Sequence, residues 1–402
     1  MSSTPADDIG YIMSTRAVRD RSRQMMEKAL SGGTAFAVNL DKLDAAADVV
    51  VDVIRGQYPD LEVPYHSRWR HFVGDGGKLR AELDARLAKL DEAEAARAML
   101  DLIVVSVLLD AGAGDGWSYL APSGDRVSRS EGLALASLAM FLDGEFSSDG
   151  SLRVDAARLA GLDDGAIETG FQVSGDNPLL GVSGRTSLLR QLGAALKARP
   201  EIFSHGRPGD LIAYWKNQGG RSVDAGVVFD TVVDVFGGIW PSRTTFAGRN
   251  MGDAWSYPDF GTGAAGLVPL HKLSQWLSYS IIETLELAGF TVPGIDKLTG
   301  LAEYRNGGLF LDAGVLALRN QEDVSKVHQP GSPLIIEWRS LTVALLDRIA
   351  DPVRQRLGLS EEQFPLPRVL EGGTWLAGRK LAAGLRAGGG SPLLIASDGT
   401  VF

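Results

Sequence analysis

The stretch PLIIEWRSLTVALLDRIAD, Pro333 to Asp351, decides the fold class. Plotted at 100° per residue, its Ile, Leu, Val, Ala and Trp side chains cover nearly the whole circumference, the pattern of a helix buried on all sides. Ser332 stands at the cap, and Pro333 takes the first helical position, where an N–H is not needed. Other elements must enclose such a helix, and the rest of the chain offers mainly helices. Glu337 and Arg339 interrupt the apolar surface. Charges placed there must be paired or face a polar cavity, since an unpaired buried charge costs several kcal/mol. An internal ion-pair network and a substrate pocket both fit.

Outward from this helix, three- and four-residue apolar spacing predicts helices over Arg16–Leu30, Leu40–Arg55 and a long Lys78–Leu109 segment, so the first hundred residues read as all-α. Trp117–Ser128, with Pro122, Ser123 and Gly124 at its middle, reads as a hairpin. SRSE then opens a helix in which Ser128 and Glu131 form a capping box. Further helices are expected at Asp155–Leu162, Ser183–Ala198, Ala225–Phe236, Pro269–Ala288, Pro333–Leu357 and Leu366–Leu385, and extended PLLIASDGTVF closes the chain. No repeat and no phosphate-binding glycine loop in a strand–turn–helix context is present. The architecture is mostly α with a minor β element.

Composition narrows the class. A chain of 402 residues with 45% hydrophobic content can bury a full core. It has no cysteine, so disulfides and thiolate chemistry are excluded, and its five histidines contain no HxxxH or HxH pair to suggest zinc. No metal and no cofactor is expected. The formal charge of −10, without a basic block, disfavours nucleic acid and points to a small-molecule substrate. The N-terminus MSSTPADDIGYIMSTR lacks a leader pattern and no run approaches the roughly 20 apolar residues of a membrane span, so the chain reads as cytoplasmic and free of membrane.

Polar residues appear where packing alone does not ask for them. In DKLTGLAEYRNGGLFLDAGVL, a helical turn after Gly300 puts Glu303 and Asn306 on one face, Arg305 lies between, and Gly307 and Gly308 break the segment. A glycine-capped helix end explains it as well as a site does. In VPLHKLSQWLSYSII, Lys272, Gln275 and Tyr279 form a stripe that faces solvent or a cleft. Asp110 ends an apolar helix beside small residues, Asp176 and Asn177 precede Pro178 as in a turn, and Glu371 and Trp375 stand at i, i+4 to bracket a sugar or to pack.

Several long strings together resemble the uracil-catabolism family of the fungal and bacterial URC pathway. They are GLVPLHKLSQWLSYS, LTGLAEYRNGGLFLDAGVL, IIEWRSLTVALLDR, VLEGGTWLAGRK and SDGTVF, with weaker matches at LLDAGAGDGWSY, SRSEGLALASLAMF and GDNPLLGVSGRTSLLRQLG. A more remote similarity is to the queuosine-salvage N-glycosylases of helix-hairpin-helix type. Lys272 and Gln275 match their K-x-x-Q helix, Leu301 to Arg305 their F-A-D-Y-R segment, and Glu337 and Arg339 their E-x-R helix. Glu303 stands where that family has Asp.

The resemblance implies a helix-hairpin-helix glycosylase-like unit over 1–402, divisible into a helical lobe with a small hairpin at 1–205 and a lobe at 206–402 that holds most site residues. It implies release of urea from ribosylurea or its 5′-phosphate, without a cofactor. Glu303 is the expected catalytic carboxylate, because cleavage at an anomeric carbon builds oxocarbenium charge. Lys272, Arg305 and Arg339 are expected around a phosphate, and Glu337, Asp110 and Asn306 at ribose hydroxyls or urea nitrogens, with Asp176, Gln275 and Trp375 completing the candidate set. A non-catalytic metabolite sensor accounts for the buried charges too, and an amidohydrolase acting on a ring-opened ureido compound is the remaining alternative.

Overall fold

A computed structural model describes residues 4–110, 112–114, 116–240 and 244–396. Among them are sixteen α-helices and ten short strands in two-stranded pairs, so the chain is mostly α with minor β. The SDGTVF end, Ser397 to Phe402, lies outside the described residues. No described helix is long and apolar enough to cross a membrane.

The described residues fall into two units built from interleaved segments. The first draws on Met1–His66, Ser242–Gln275 and Gly294–Ser397. Its axis is the helix Pro333–Leu357, whose Ile335, Ile336, Leu341, Val343, Leu345, Leu346 and Ile349 are fully buried. Helices Thr15–Leu30, Leu43–Gln57 and Tyr304–Asp312 pack around it, as the all-round apolar pattern requires. Four strand pairs trim this unit. Phe36–Val38 runs antiparallel to Leu316–Leu318, and Ala254–Ser256 to Leu267–Pro269. Thr245–Phe246 is antiparallel to Arg249–Asn250, whereas Val327–His328 and Leu394–Ile395 are parallel.

The second unit holds Ser67–Pro241 and Trp276–Pro293. Its centre is Glu92–Leu108, buried from Leu100 to Leu108, against which Arg129–Leu142, Val182–Ala198 and Asp210–Gly219 pack. The hairpin is present as Ser118–Leu120 paired with Arg126–Ser128.

Several local expectations are corrected. The Lys78–Leu109 segment is two helices, Lys78–Leu87 and Glu92–Leu108, because Asp91 leaves helical geometry and accepts from the Glu94 N–H as a cap. The first hundred residues are not all-α, since Phe36–Val38 finds a strand partner far along the chain. Ser128 is an N-cap without a side-chain cap bond, so no capping box forms; Ser130 instead donates to Asp110. The expected Pro269–Ala288 helix starts at Lys272, because Leu267–Pro269 is committed to a strand. The Tyr304–Asp312 helix runs straight through Gly307 and Gly308. A Cβ at Gly307 would stand 2.8 Å from the Trp338 ring, so this glycine allows a close helix crossing and makes no break. The Leu366–Leu385 segment contains a π-helical turn, Leu370–Thr374, between Leu366–Val369 and Trp375–Leu385.

Candidate active site

Eight of the sequence-predicted residues lie in the first unit: Lys272, Gln275, Glu303, Arg305, Asn306, Glu337, Arg339 and Trp375. Asp110 and Asp176 belong to the second.

Glu303 is the N-cap of Tyr304–Asp312. One carboxylate oxygen accepts from the Arg305 N–H at 2.7 Å and the other from the Asn306 N–H at 2.5 Å. Caps are usually the shorter Asp, Asn, Ser or Thr, so Glu reaches the same amides with one more methylene. Burial is the largest influence on this carboxyl and pushes its pKa above 4.5, against the two N–H bonds and the positive charges of Lys272 and His66. Structural capping and a poised buried carboxylate are therefore combined in one side chain.

The same unit holds buried polar groups without a hydrogen-bond partner among the described residues. Asn306 is fully buried, and neither its Oδ1 nor its Nδ2 has a hydrogen-bond partner among the described residues. Gln275 is also fully buried; its Oε1 accepts from the Thr299 N–H at 3.4 Å and its Nε2 has no partner among the described residues. Thr374, in the π-turn, leaves its hydroxyl unpartnered as well. Two helical hydroxyls of the same unit behave otherwise: Ser340 and Thr342 each donate to the carbonyl four residues back, at 2.8 Å. Buried polar atoms left unmade are costly, and these four atoms on three side chains are open to completion by an outside group.

The predicted cations are differently employed. Arg339 directs its fork to Asp253, Nη1 to Oδ1 and Nη2 to Oδ2 both at 2.7 Å, and its Nε donates to the Ala302 carbonyl at 3.0 Å. Asp253 also accepts from the Lys272 N–H at 2.9 Å and from Trp255 Nε1 at 2.7 Å. Burial works to raise this carboxyl, but the Arg339 charge and these hydrogen bonds outweigh it and hold it below its ordinary value. Asp253 thus ties the start of the Lys272–Leu287 helix to the Pro333–Leu357 helix, a role the sequence reading missed. Arg305 donates to the Gly389 carbonyl and lies over the Tyr304 ring, 4.7 Å from its centroid. Glu337 accepts from the Tyr257 hydroxyl at 2.6 Å and the Ala35 N–H at 2.7 Å; burial raises its pKa and that of Tyr257.

Trp375 packs tilted against His66, ring centroids 5.7 Å apart, and Arg379 lies over the Trp375 ring, 4.8 Å from its centroid. His66 Nδ1 is 2.6 Å from Glu371 Oε2. His66 was not among the predicted residues; its only sequence signal is its place in a chain of few histidines. In the second unit, Asp110 pairs with the buried Arg68 at 2.9 Å and accepts from Ser130 at 2.6 Å. Asp176 occupies an exposed turn between Ser174 and Asn177. Among the described residues no three His, Asp or Glu side chains gather as a metal-ligand set.

The family described as "Protein of unknown function (DUF1688)" matches residues 11–402. The chain is 39% identical over 409 residues to "Protein urg3" of Schizosaccharomyces pombe, covering 98% of this chain and 99% of that one. It is 38% identical over 443 residues to "Uracil catabolism protein 4" of Lachancea kluyveri, covering 99% of this chain and 100% of the relative.

Proposed function

The chain belongs to the DUF1688 family, and from that membership and the name of its Lachancea kluyveri relative we propose that it acts in uracil catabolism as an N-glycoside hydrolase, splitting a ribosylurea into ribose and urea. The observation that carries the reading is Glu303, a buried carboxylate whose two oxygens are fixed by backbone N–H groups at a helix N-terminus. Breaking the bond between the anomeric carbon and the urea nitrogen builds positive charge on the sugar ring. A carboxylate already fixed beside that carbon stabilises the charge without reorganising. Lys272 favours the ionised form of Glu303. The unpartnered amide of Asn306 offers a donor and an acceptor side by side, the complement of a urea edge or a ribose hydroxyl. Asp253 pairs with Arg339, so the 5′-phosphate, expected as the preferred substrate from the surplus of cations, would be met by Lys272 and Arg305.

The test is to incubate purified protein with ribosylurea and with its 5′-phosphate and assay free urea. Release from both, faster from the 5′-phosphate, is the expected outcome, and Glu303→Gln is expected to lower kcat by about 10²–10³-fold with little change in KM. A Glu303→Gln variant within about tenfold of wild type would remove Glu303 from catalysis. Binding of either compound without urea release would favour a metabolite-binding protein instead.

A further inference from the structure

Urea is a poor leaving group as an anion, so the hydrolase reading, on which this inference rests, requires a proton donor for the departing nitrogen. Glu303 does not fill that role, since both its oxygens accept backbone N–H bonds and its useful form is the anion.

The first unit contains a second buried acid–base pair. His66 is 5% and Glu371 8% exposed, and His66 Nδ1 lies 2.6 Å from Glu371 Oε2. A carboxylate can only accept, so Nδ1 carries the hydrogen and protonation of the ring occurs at Nε2. The His66 backbone N–H is anchored on the Pro367 carbonyl at 3.0 Å, and Trp375 flanks the ring. Glu371 is held by the π-turn Leu370–Thr374, whose two glycines admit close neighbours: a Cβ at Gly372 would stand 2.8 Å from Val63 and one at Gly373 2.6 Å from Val50. π-turns occur often at functional sites. This one packs on the Tyr304–Asp312 helix that Glu303 caps, and a protonated His66 ring would favour the ionised form of Glu303.

We propose that His66 is the proton donor to the departing urea nitrogen, with Glu371 as the residue that positions its ring. The C1′–N bond breaks with its electron pair going to nitrogen, which takes the proton from Nε2 of the imidazolium. The oxygen of a water molecule forms the new bond to C1′, and the proton that this water loses returns to Nε2. The sum is ribosylurea plus water to ribose plus urea, and Glu303 stays a carboxylate throughout.

The experiment compares wild type, His66→Gln and Glu371→Gln on ribosylurea and on 4-nitrophenyl β-D-ribofuranoside, whose phenolate departs without a proton. His66→Gln is expected to lose about 10²–10⁴-fold in kcat on ribosylurea and to stay within about tenfold of wild type on the nitrophenyl compound. Glu371→Gln removes the negative partner of the imidazolium, so the basic limb of its kcat/KM profile on ribosylurea is expected at lower pH than in wild type. Equal losses by His66→Gln on the two substrates, or an unmoved basic limb in Glu371→Gln, would make the pair structural and overturn the assignment. If His66→Gln does not fold, the limb of Glu371→Gln decides. Absence of urea release by wild type would sink the hydrolase reading and this inference together, whereas wild-type release with equal variant losses would sink this inference alone.

Discussion

At the residue scale, Glu303 joins two demands that oppose each other. Burial raises its pKa above 4.5, and the raised value means that the folded state holds the proton more tightly than the unfolded chain. Its ionisation at neutral pH therefore costs stability, and that cost disappears as pH falls through the folded pKa towards 4.5. Catalysis wants the opposite, an ionised carboxylate. Lys272 moderates the conflict, since its positive charge lowers the Glu303 pKa. Lys272→Met is thus expected to move the acid limb of the kcat/KM profile for urea release to higher pH, because the ionised fraction falls sooner on acidification. A limb that stays put or moves down would show that Lys272 does not act on the carboxylate. The residues that the sequence reading missed share one physical cause. Asp253 and His66 acquire meaning only through partners 86 and 305 positions away, which no local pattern reveals.

At the scale of elements, the site depends on how closely the Tyr304–Asp312 and Trp375–Leu385 helices cross. A Cβ at Gly378 would stand 2.2 Å from the Arg305 carbonyl oxygen, which is backbone and cannot rotate away. In an ordinary helix interior Gly→Ala gains about 1 kcal/mol. Here the overlap reverses the sign: Gly378→Ala is expected to cost roughly 1–3 kcal/mol in chemical denaturation and to lower kcat, since the displaced helix carries the N–H groups that hold Glu303. A stabilised, fully active variant would mean that the crossing is not tight. The helix Pro333–Leu357 was legible to the residue because all-round apolar periodicity leaves few alternatives. The π-turn was not, since one extra residue per turn preserves apolar spacing closely enough to read as continuous helix. The Phe36–Val38 strand was illegible for another reason: three residues carry too little alternation, and their partner Leu316–Leu318 lies at the other end of the chain.

At the scale of the whole molecule, the two units are not consecutive in sequence. Residues 67–241 make up most of the second unit, yet Trp276–Pro293 belongs to it too. That segment does more than trim an edge. Thr284 accepts from Trp69 Nε1 at 3.0 Å, Ser280 Oγ accepts from the Arg68 N–H at 3.0 Å, and Glu283 pairs with Arg70. The Thr291 and Pro293 carbonyls accept from Val223 and Ala225 at 3.0 and 2.8 Å. Ile281, Ile282 and Leu285 are fully buried, and at about 1.5–3 kcal/mol for each such side chain their contribution is roughly 5–9 kcal/mol. The whole stability of a typical domain is about 5–15 kcal/mol. Loss of this segment is therefore comparable to loss of the fold. A fragment of residues 67–241 is expected to unfold without a cooperative transition, and one with residues 276–293 joined through a flexible linker to regain it, as followed by far-UV circular dichroism in urea. Cooperative unfolding of 67–241 alone at the midpoint of the joined fragment would show that the later segment is an accessory, and the interleaved division would lose its physical basis.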